Sequence, residues 1–172
     1  IALLLTDGKR KGPNLNRHIK GMLVAEPTDR DVPLVDLLDF DYDKFDNRDT
    51  SYTQGVQHWP IILDRKGTIK VAKSNWQANR TVVAKDRDGN MVVFVTEGGF
   101  FTLYNFGRFL KESQFNIHTA MNLDGGYEAS MSIKTPNLSY VTYGQFETQG
   151  PSKDISIPRI KIAIPGAIGI FP

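Results

Sequence analysis

Short apolar runs alternate along the chain with clusters of turn-forming residues, a pattern typical of β-strands joined by tight loops. Strands are predicted within residues 1–5, 21–25, 56–70, 81–96, 140–143 and 159–164. The region 56–70 divides into two strands around a turn, and 81–96 forms a hairpin. Because both arms of this hairpin are β-branched and largely apolar, we expect them to be central and covered on both faces.

One segment, residues 102–113, has the period of an amphipathic helix. Thr102 can cap its N-terminus. Three apolar residues fall on one face: Leu103, Phe106 and Leu110. Gly107 lies within this segment and weakens a helix by about 1 kcal/mol relative to alanine, which indicates that another element packs closely there.

Many strands with one clear helix are typical of an α+β fold. At 172 residues, we expect a single domain over residues 1–172, with a largely antiparallel mixed β-sheet and few helices. The formal net charge of +2 is too small to indicate nucleic-acid binding. No apolar run approaches the roughly 20 residues of a membrane span, and the absence of cysteine rules out disulfides and thiolate chemistry.

Polar residues and two glycines interrupt the apolar pattern at 120–131. Strand alternation places Asn122 and Asp124 together on one face. Gly125 and Gly126 follow at once, and glycine permits a positive φ or a close approach to a ligand. A carboxylate and an amide at a strand end before two glycines form either a polar site or an ordinary Asp-Gly hairpin turn.

Four short blocks occur in the order found in one enzyme family. They are Gln-His-Trp-Pro-Ile-Ile at 57–62, Asn-Arg-Thr-Val-Val-Ala at 79–84, Thr-Leu-Tyr-Asn-Phe at 102–106, and Asn-Leu-Asp-Gly-Gly from 122. Together they resemble the motifs of the phosphodiester glycosidase family, which includes the lysosomal uncovering enzyme and exported bacterial relatives. The resemblance covers residues 55–172 well and the first 50 residues poorly.

The resemblance implies an exported hydrolase, periplasmic or extracellular, that cleaves a sugar-1-phosphodiester in a cell-surface or exopolysaccharide glycan. It implies a catalytic group of Asp124, Arg80 and Glu97. A guanidinium can hold two phosphate oxygens at once, so Arg80 is assigned to the phosphodiester, although taken alone it also fits a surface arginine. Asp124 is the first choice for the acid or base, and Glu97 and Glu128 are further carboxylates among which these roles stay unassigned.

The resemblance also implies a set of substrate-binding residues around this group. They are Asn122, Gly125, Gly126, Glu128, Ser130, Gln57, His58, Thr81 and Asp7. The two glycines are predicted to offer backbone N–H groups to an anion, and an ordinary turn is the alternative for Asp7. Tyr127 and Glu128 replace small residues of the family motif. This replacement favours, as an alternative function, a non-catalytic glycan- or phosphoglycan-binding module on the same fold.

Metal and cofactor sites are not predicted. Asp39, Asp41 and Asp43 invite comparison with a calcium loop. The glycine position of such a loop is Lys44 here, and its glutamate position is Thr50. The histidines show no zinc pattern, and no P-loop or dinucleotide fingerprint occurs. We therefore expect no cofactor, and a carbohydrate or phosphoglycan as the binding partner.

Overall fold

The computed structural model of the chain describes residues 2–145, 147–149 and 167–171. Its strands are β1 Leu4–Thr6, β2 Lys9–Arg10, β3 Gly21–Pro27, β4 Val35–Asp39, β5 Tyr52–His58, β6 Ile61–Leu63, β7 Trp76–Ala78, β8 Arg80–Asp86, β9 Met91–Val95, β10 Ile117–Gly125, β11 Met131–Lys134, β12 Ser139–Thr142 and β13 Glu147–Gln149. Helix α1 spans Leu103–Glu112, and a 3₁₀ turn spans Gly126–Glu128. The strand pairs of the described residues are antiparallel, which confirms the predicted α+β fold with few helices.

The strands form two principal sheets, a division that the sequence pattern does not specify. A five-stranded sheet has the order β2-β1-β5-β3-β4, and a four-stranded sheet has the order β6-β10-β8-β9. The chain leaves the first sheet at His58 and enters the second at Ile61, so Trp59 and Pro60 connect the two sheets. Two small sheets, β11-β12 and β13-β7, complete the described architecture.

Strand alternation distributes the apolar side chains over the two faces of each sheet. Leu23 and Leu37 from the five-stranded sheet pack against Val83 and Met121 from the four-stranded sheet. Met22, the neighbour of Leu23, is also fully buried, but in a separate cluster on the outer face of its sheet. The two sheets therefore form a sandwich, and each outer face needs its own cover.

Helix α1 covers the outer face of the four-stranded sheet. Phe106 packs there in one cluster with Ile62. The Thr102 hydroxyl oxygen accepts the Asn105 N–H at 3.1 Å and caps the helix. A Cβ at Gly107 would lie 2.9 Å from Ile62 Cγ2, so the glycine allows the close packing predicted from the sequence. In the described part of the chain, no helix is long and apolar enough to cross a membrane.

The hairpin predicted at 81–96 is present as β8 and β9, but its two arms differ. β8 lies between β10 and β9, whereas β9 is the edge strand of the sheet. Val93 on β9 is 45% exposed. The prediction that both arms are covered on both faces is therefore wrong for β9, because edge and central strands share a composition and differ in their available partners.

The other predicted strands have different outcomes. After β6, the predicted turn forms, with the Asp64 N–H donating to the Thr68 carbonyl at 3.0 Å, but the second arm is reduced to one bridge between Leu63 and Ile69. The strand predicted at 140–143 corresponds to β12. The strand predicted at 159–164 lies outside the described residues, and the single domain stays a prediction.

Asp39, the last residue of β4, is a buried carboxylate with one unsatisfied oxygen. Its Oδ1 accepts the Asp41 N–H at 3.0 Å, whereas Oδ2 has no hydrogen-bond partner among the described residues. Burial raises the pKa of the Asp39 carboxyl above its usual value, because the charged form loses its hydration. The folded protein therefore binds this proton more tightly than the unfolded chain does.

We expect Asp39→Asn to raise the free energy of unfolding at neutral pH by on the order of 1 kcal/mol, because it removes a buried charge and keeps the oxygen that accepts from Asp41. Wild-type stability falls as pH rises from the unfolded pKa of 3.8 through the higher folded value. The difference in stability between Asp39→Asn and the wild type should therefore be smallest at about pH 4. Thermal unfolding of both proteins across this pH range tests the prediction, and Asp49→Asn, at an exposed aspartate, is the control. If Asp39→Asn is less stable than the wild type at neutral pH, the prediction is wrong.

Candidate active site

The C-terminal end of β10 lies between two strands that both carry predicted site residues. On the β6 side, the Asn122 N–H donates to the Pro60 carbonyl at 2.9 Å. On the β8 side, the Gly126 N–H donates to the Asn79 carbonyl at 3.0 Å. Three of the four sequence blocks therefore meet at this end of the sheet.

Arg80 is the first residue of β8, and its guanidinium forms part of the wall at this strand end. Its Nε donates to the Phe101 carbonyl at 3.1 Å, and its Nη2 donates to the Trp76 carbonyl at 2.9 Å. Arg80 is only 8% exposed. No carboxylate of a described residue forms an ion pair with it. The positive charge of Arg80 is therefore buried, and its direct hydrogen-bond partners are neutral carbonyls.

The glycine turn packs against Arg80 on one side and against a carboxylate on the other. A Cβ at Gly125 would lie 3.5 Å from Arg80 Nη1. Gly126 has a φ of +64°, and a Cβ there would lie 2.6 Å from Oε2 of Glu147. Burial lowers the pKa of Arg80, and the negative charge of Glu147 partly offsets this effect. Glycine suits both positions because it leaves room for these neighbours.

The predicted role of the two glycines as N–H donors to an anion is not available in this conformation. The Gly125 N–H donates to Asp124 Oδ1 at 2.9 Å, and the Gly126 N–H donates to the Asn79 carbonyl. Backbone donors that are already bonded offer little to a ligand. The glycines therefore provide space beside Arg80. At this point of the site, the hydrogen-bond donor to an anion is the Arg80 guanidinium.

Asn79 and Glu147, for which no role is predicted from the sequence, also belong to this arrangement. Asn79 is fully buried, its Nδ2 donates to the Thr96 carbonyl at 2.6 Å, and its Oδ1 accepts the Gln145 N–H at 3.0 Å. It thus holds two further segments at the glycine turn. In the sequence, the position of Asn79 next to Arg80 was the feature that could have indicated its role in the site. Glu147 has no such signal, because its place depends on the pairing of β13 with β7.

Asn122 and Asp124 differ in exposure, although simple alternation puts them on one face. The pairing of β10 with β8 is irregular between Asn122 and Gly125. Asn122 is 8% exposed, and in the described part of the chain its buried Oδ1 has no hydrogen-bond partner. Asp124 is exposed. The irregularity leaves the Asp124 carboxylate accessible at the strand end.

His58 approaches the same strand end from the flank opposite Arg80. Its Nδ1 is 3.0 Å from the Asn122 carbonyl and 3.1 Å from the Trp59 carbonyl. Because both partners are acceptors, Nδ1 carries the hydrogen, and Nε2 of the neutral ring is left as an acceptor. Burial lowers the pKa of His58, and the negative charge of Asp124 acts in the opposite direction. His58 is therefore held at the Asn122 carbonyl, two residues before Asp124 on β10.

Glu97 is linked to the Arg80 strand through its neighbour. The Thr96 hydroxyl accepts the Arg80 N–H at 2.9 Å, and Glu97 follows Thr96. The Glu97 carboxylate itself accepts a hydrogen bond from the Tyr140 hydroxyl. A catalytic role for Glu97 stays a prediction. So do the substrate contacts of three half-exposed residues: Thr81, Glu128 and Ser130.

Gln57 lies behind the site and holds a loop. It has no exposed surface. Its Oε1 accepts the Asn16 N–H at 3.0 Å, and its Nε2 donates to the Ile19 carbonyl at 2.8 Å. Gln57 therefore supports the loop from behind instead of contacting a substrate, which corrects its predicted place on the substrate wall.

Asp7 lies at the far end of the five-stranded sheet. Its carboxylate accepts a hydrogen bond from the Gln54 amide at 3.2 Å. Gln54 is four residues from His58 on β5, a separation of about 13 Å along a strand. Asp7 is thus remote from the β10 end, and the ordinary turn explains it.

Two of the three aspartates that invited comparison with a calcium loop face basic side chains. Asp41 forms ion pairs with Lys20 and Lys70, each at 3.3 Å, and Asp43 pairs with Arg65. Among residues 2–145, 147–149 and 167–171, no group of three or more His, Asp or Glu side chains could hold a metal ion. The ion pairs account for Asp41 and Asp43, whereas Asp39 is buried and forms none with the described residues.

Comparison with known protein families agrees with the blocks that meet at β10. The model of the family described as phosphodiester glycosidase matches residues 3–171. This match confirms the resemblance and extends it to the first 50 residues, where the quoted blocks do not reach. No curated protein sequence matches the chain significantly.

Proposed function

The chain belongs to the phosphodiester glycosidase family, and from this premise we propose that it hydrolyses the bond between the anomeric carbon of a sugar and a phosphodiester oxygen. The products are a free sugar and a phosphomonoester. One observation carries the proposal: Arg80 is a buried cation without an ion-pair partner among the described residues, and it lies beside the glycine turn.

A phosphodiester supplies the direct ion-pair partner that Arg80 lacks among the described residues, since Glu147 affects the pKa of Arg80 without forming an ion pair with it. A buried guanidinium is costly unless an anion pairs with it. The Phe101 and Trp76 carbonyls fix the plane of the guanidinium, and Nη1 adjoins Gly125. A substrate phosphate bound there accepts a charge-assisted hydrogen bond from the guanidinium. This bond is stronger than the one a neutral ligand accepts, so the guanidinium favours an anion. This argument supports Arg80 as the phosphate-binding residue.

In the proposed reaction, water attacks the anomeric carbon and the bond to the phosphate oxygen breaks. The electron pair of that bond stays on the phosphate, where Arg80 stabilises the charge. The proton of the attacking water passes to a carboxylate, for which Asp124 is the first candidate and Glu97, Glu128 and Glu147 are the alternatives. A phosphate leaving group needs less protonation than a sugar alcohol, so one carboxylate suffices for this scheme.

We propose a cell-surface or exopolysaccharide phosphoglycan as the substrate, and export to the periplasm or beyond as the corresponding location. Both rest on the resemblance to exported relatives. The competing function is a glycan-binding module without catalysis. It is favoured by Tyr127 and Glu128, which form the 3₁₀ turn beside the site in place of small family residues.

Hydrolysis of a sugar 1-phosphate aryl ester in ¹⁸O-labelled water tests the proposal. Cleavage at the anomeric carbon puts the label in the released sugar and none in the aryl phosphate. Label in the phosphate would instead mean attack at phosphorus and would overturn the proposed reaction. Binding of the ester without turnover by any member of a sugar panel would support the binding module.

We expect EDTA to leave the rate of this hydrolysis unchanged, since Asp41 and Asp43 are already paired with basic side chains. The measurement compares the rate on a confirmed substrate before and after dialysis against EDTA. A control dialysis without chelator accounts for losses on handling. Inactivation that calcium reverses would refute the prediction and direct attention to these two aspartates.

A further inference from the structure

We propose that a groove beside the β10 end binds the pyranose ring of the substrate, with the Trp59 indole stacked on the ring. The groove is lined by His18, Ile19, His58 and Trp59. The inference rests on the proposed function and assigns the sugar to a place distinct from Arg80.

The groove combines an exposed aromatic face with a volume suited to a small ligand. Trp59 is 62% exposed, although it connects the two sheets and lies next to buried Pro60. The groove is open to solvent and has a volume of about 400 Å³, which is within the range of small-molecule sites. An indole offers a large, rigid apolar surface at little cost in side-chain entropy. The apolar C–H face of a pyranose is a matching partner.

The opposite wall of the groove is held in place from the protein interior. His18 and Ile19 belong to a loop whose backbone is bound by Gln57, with the Ile19 carbonyl accepting from Nε2 at 2.8 Å. The Asn16 side chain also accepts the His18 N–H at 2.9 Å. Because Gln57 is fully buried, this wall is fixed before a ligand arrives.

The charge of the groove favours a sugar over a phosphate. Among the described residues that line it, none is Lys, Arg, Asp or Glu. His58 is held with Nδ1 toward two carbonyls, so its neutral ring keeps Nε2 as an acceptor for a sugar hydroxyl. The cation of the site, Arg80, is on the other side of β10.

The spacing of the strands fits a sugar joined to a phosphate. β10 is flanked by β6 on the Trp59 side and by β8 on the Arg80 side. Two interstrand spacings give roughly 10 Å between these flanks, a span that suits one pyranose ring with its phosphate. Asp124, at the end of β10, then lies between the two subsites, next to the anomeric carbon.

A kinetic comparison tests the groove. In Trp59→Ala, we expect KM for the sugar phosphodiester to rise roughly three- to ten-fold with kcat nearly unchanged, because stacking binds substrate and transition state alike. Trp59→Phe should recover most of the loss. Leu34→Ala, which removes an exposed apolar side chain next to β4, is the matched control. An unaltered KM in Trp59→Ala, with hydrolysis intact, would overturn the groove assignment and leave the proposed function standing.

A fluorescence titration tests the same contact without turnover. The chain has two tryptophans, so Trp76→Phe leaves Trp59 as the single reporter. We expect free hexoses and hexose 1-phosphates to change its emission, and methyl phosphate to leave it unchanged. A response to methyl phosphate, or no response to any sugar that competes with the substrate, would overturn the proposal. A response to sugars in a protein that hydrolyses none would uphold the groove and refute the proposed catalysis.

Discussion

Replacing Arg80 by lysine is expected to lower kcat/KM on a confirmed phosphodiester substrate by roughly ten- to hundred-fold. Lysine keeps the charge, but its donors share one nitrogen and lack the planar spread with which Nε and Nη2 of Arg80 reach the Phe101 and Trp76 carbonyls while Nη1 lies beside Gly125. The loss corresponds to about 1.5 to 3 kcal/mol of transition-state stabilisation, the range for hydrogen bonds to charged groups.

The same variant should also lower the melting temperature. The sequence pattern alone predicts no such change, because it places Arg80 at the rim of a sheet. The structure shows a buried side chain that joins two backbone carbonyls, and lysine leaves at least one of them unsatisfied. Kinetics are therefore measured well below the melting temperature.

The matched control for Arg80→Lys is Arg108→Lys, which changes an exposed arginine paired with Glu112 on helix α1. We expect it to alter neither kcat/KM nor melting temperature appreciably. A lower melting temperature with unchanged kcat/KM for Arg80→Lys would show that Arg80 is a structural residue and that the phosphate is held elsewhere.

Asp124→Asn is expected to lower kcat by about 10²- to 10⁴-fold, the usual contribution of a general acid or base. The Asn side-chain oxygen can still accept the Gly125 N–H that Asp124 Oδ1 accepts at 2.9 Å. Because the local backbone contact is kept and the residue is exposed, the melting temperature should hardly change. The variant thus separates loss of the carboxylate from loss of structure.

Asp29→Asn is the matched control for this change, since exposed Asp29 makes a similar local bond to the Asp31 N–H at 2.9 Å and lies away from β10. Glu97→Gln, Glu128→Gln and Glu147→Gln measured alongside decide among the carboxylates. Full activity in Asp124→Asn with inactivation in one of the three glutamate variants would transfer the acid or base role to that glutamate.

Local patterns in the sequence determined several elements of the fold. Helix α1 follows from its apolar period and from the Thr102 cap, both of which act within one or two turns. The β8–β9 hairpin follows from two β-branched runs around a turn. The motif order likewise identified the family, because the residues of one block are neighbours in the chain and need no knowledge of the fold.

Site residues that depend on pairing between distant strands could be predicted only in part. Arg80 and Asp124 could be singled out because each lies in a recognisable block. Whether Arg80 has a counter-ion depends on what packs against it, which no local pattern records. The same limit explains Gln57, whose place in a block suggested a substrate contact although its amide is used to hold the Asn16 loop.

The sequence by itself determined the family, the α+β class and the strand end that carries Asp124. Tertiary structure alone decided that β9 is an edge strand, that Glu147 joins the glycine turn and that Trp59 is exposed beside His58. The physical reason is that burial, ion pairing and strand partners arise from contacts between residues far apart in the chain. Each such contact is selected by the packing of two sheets, which residue order near any one position does not encode.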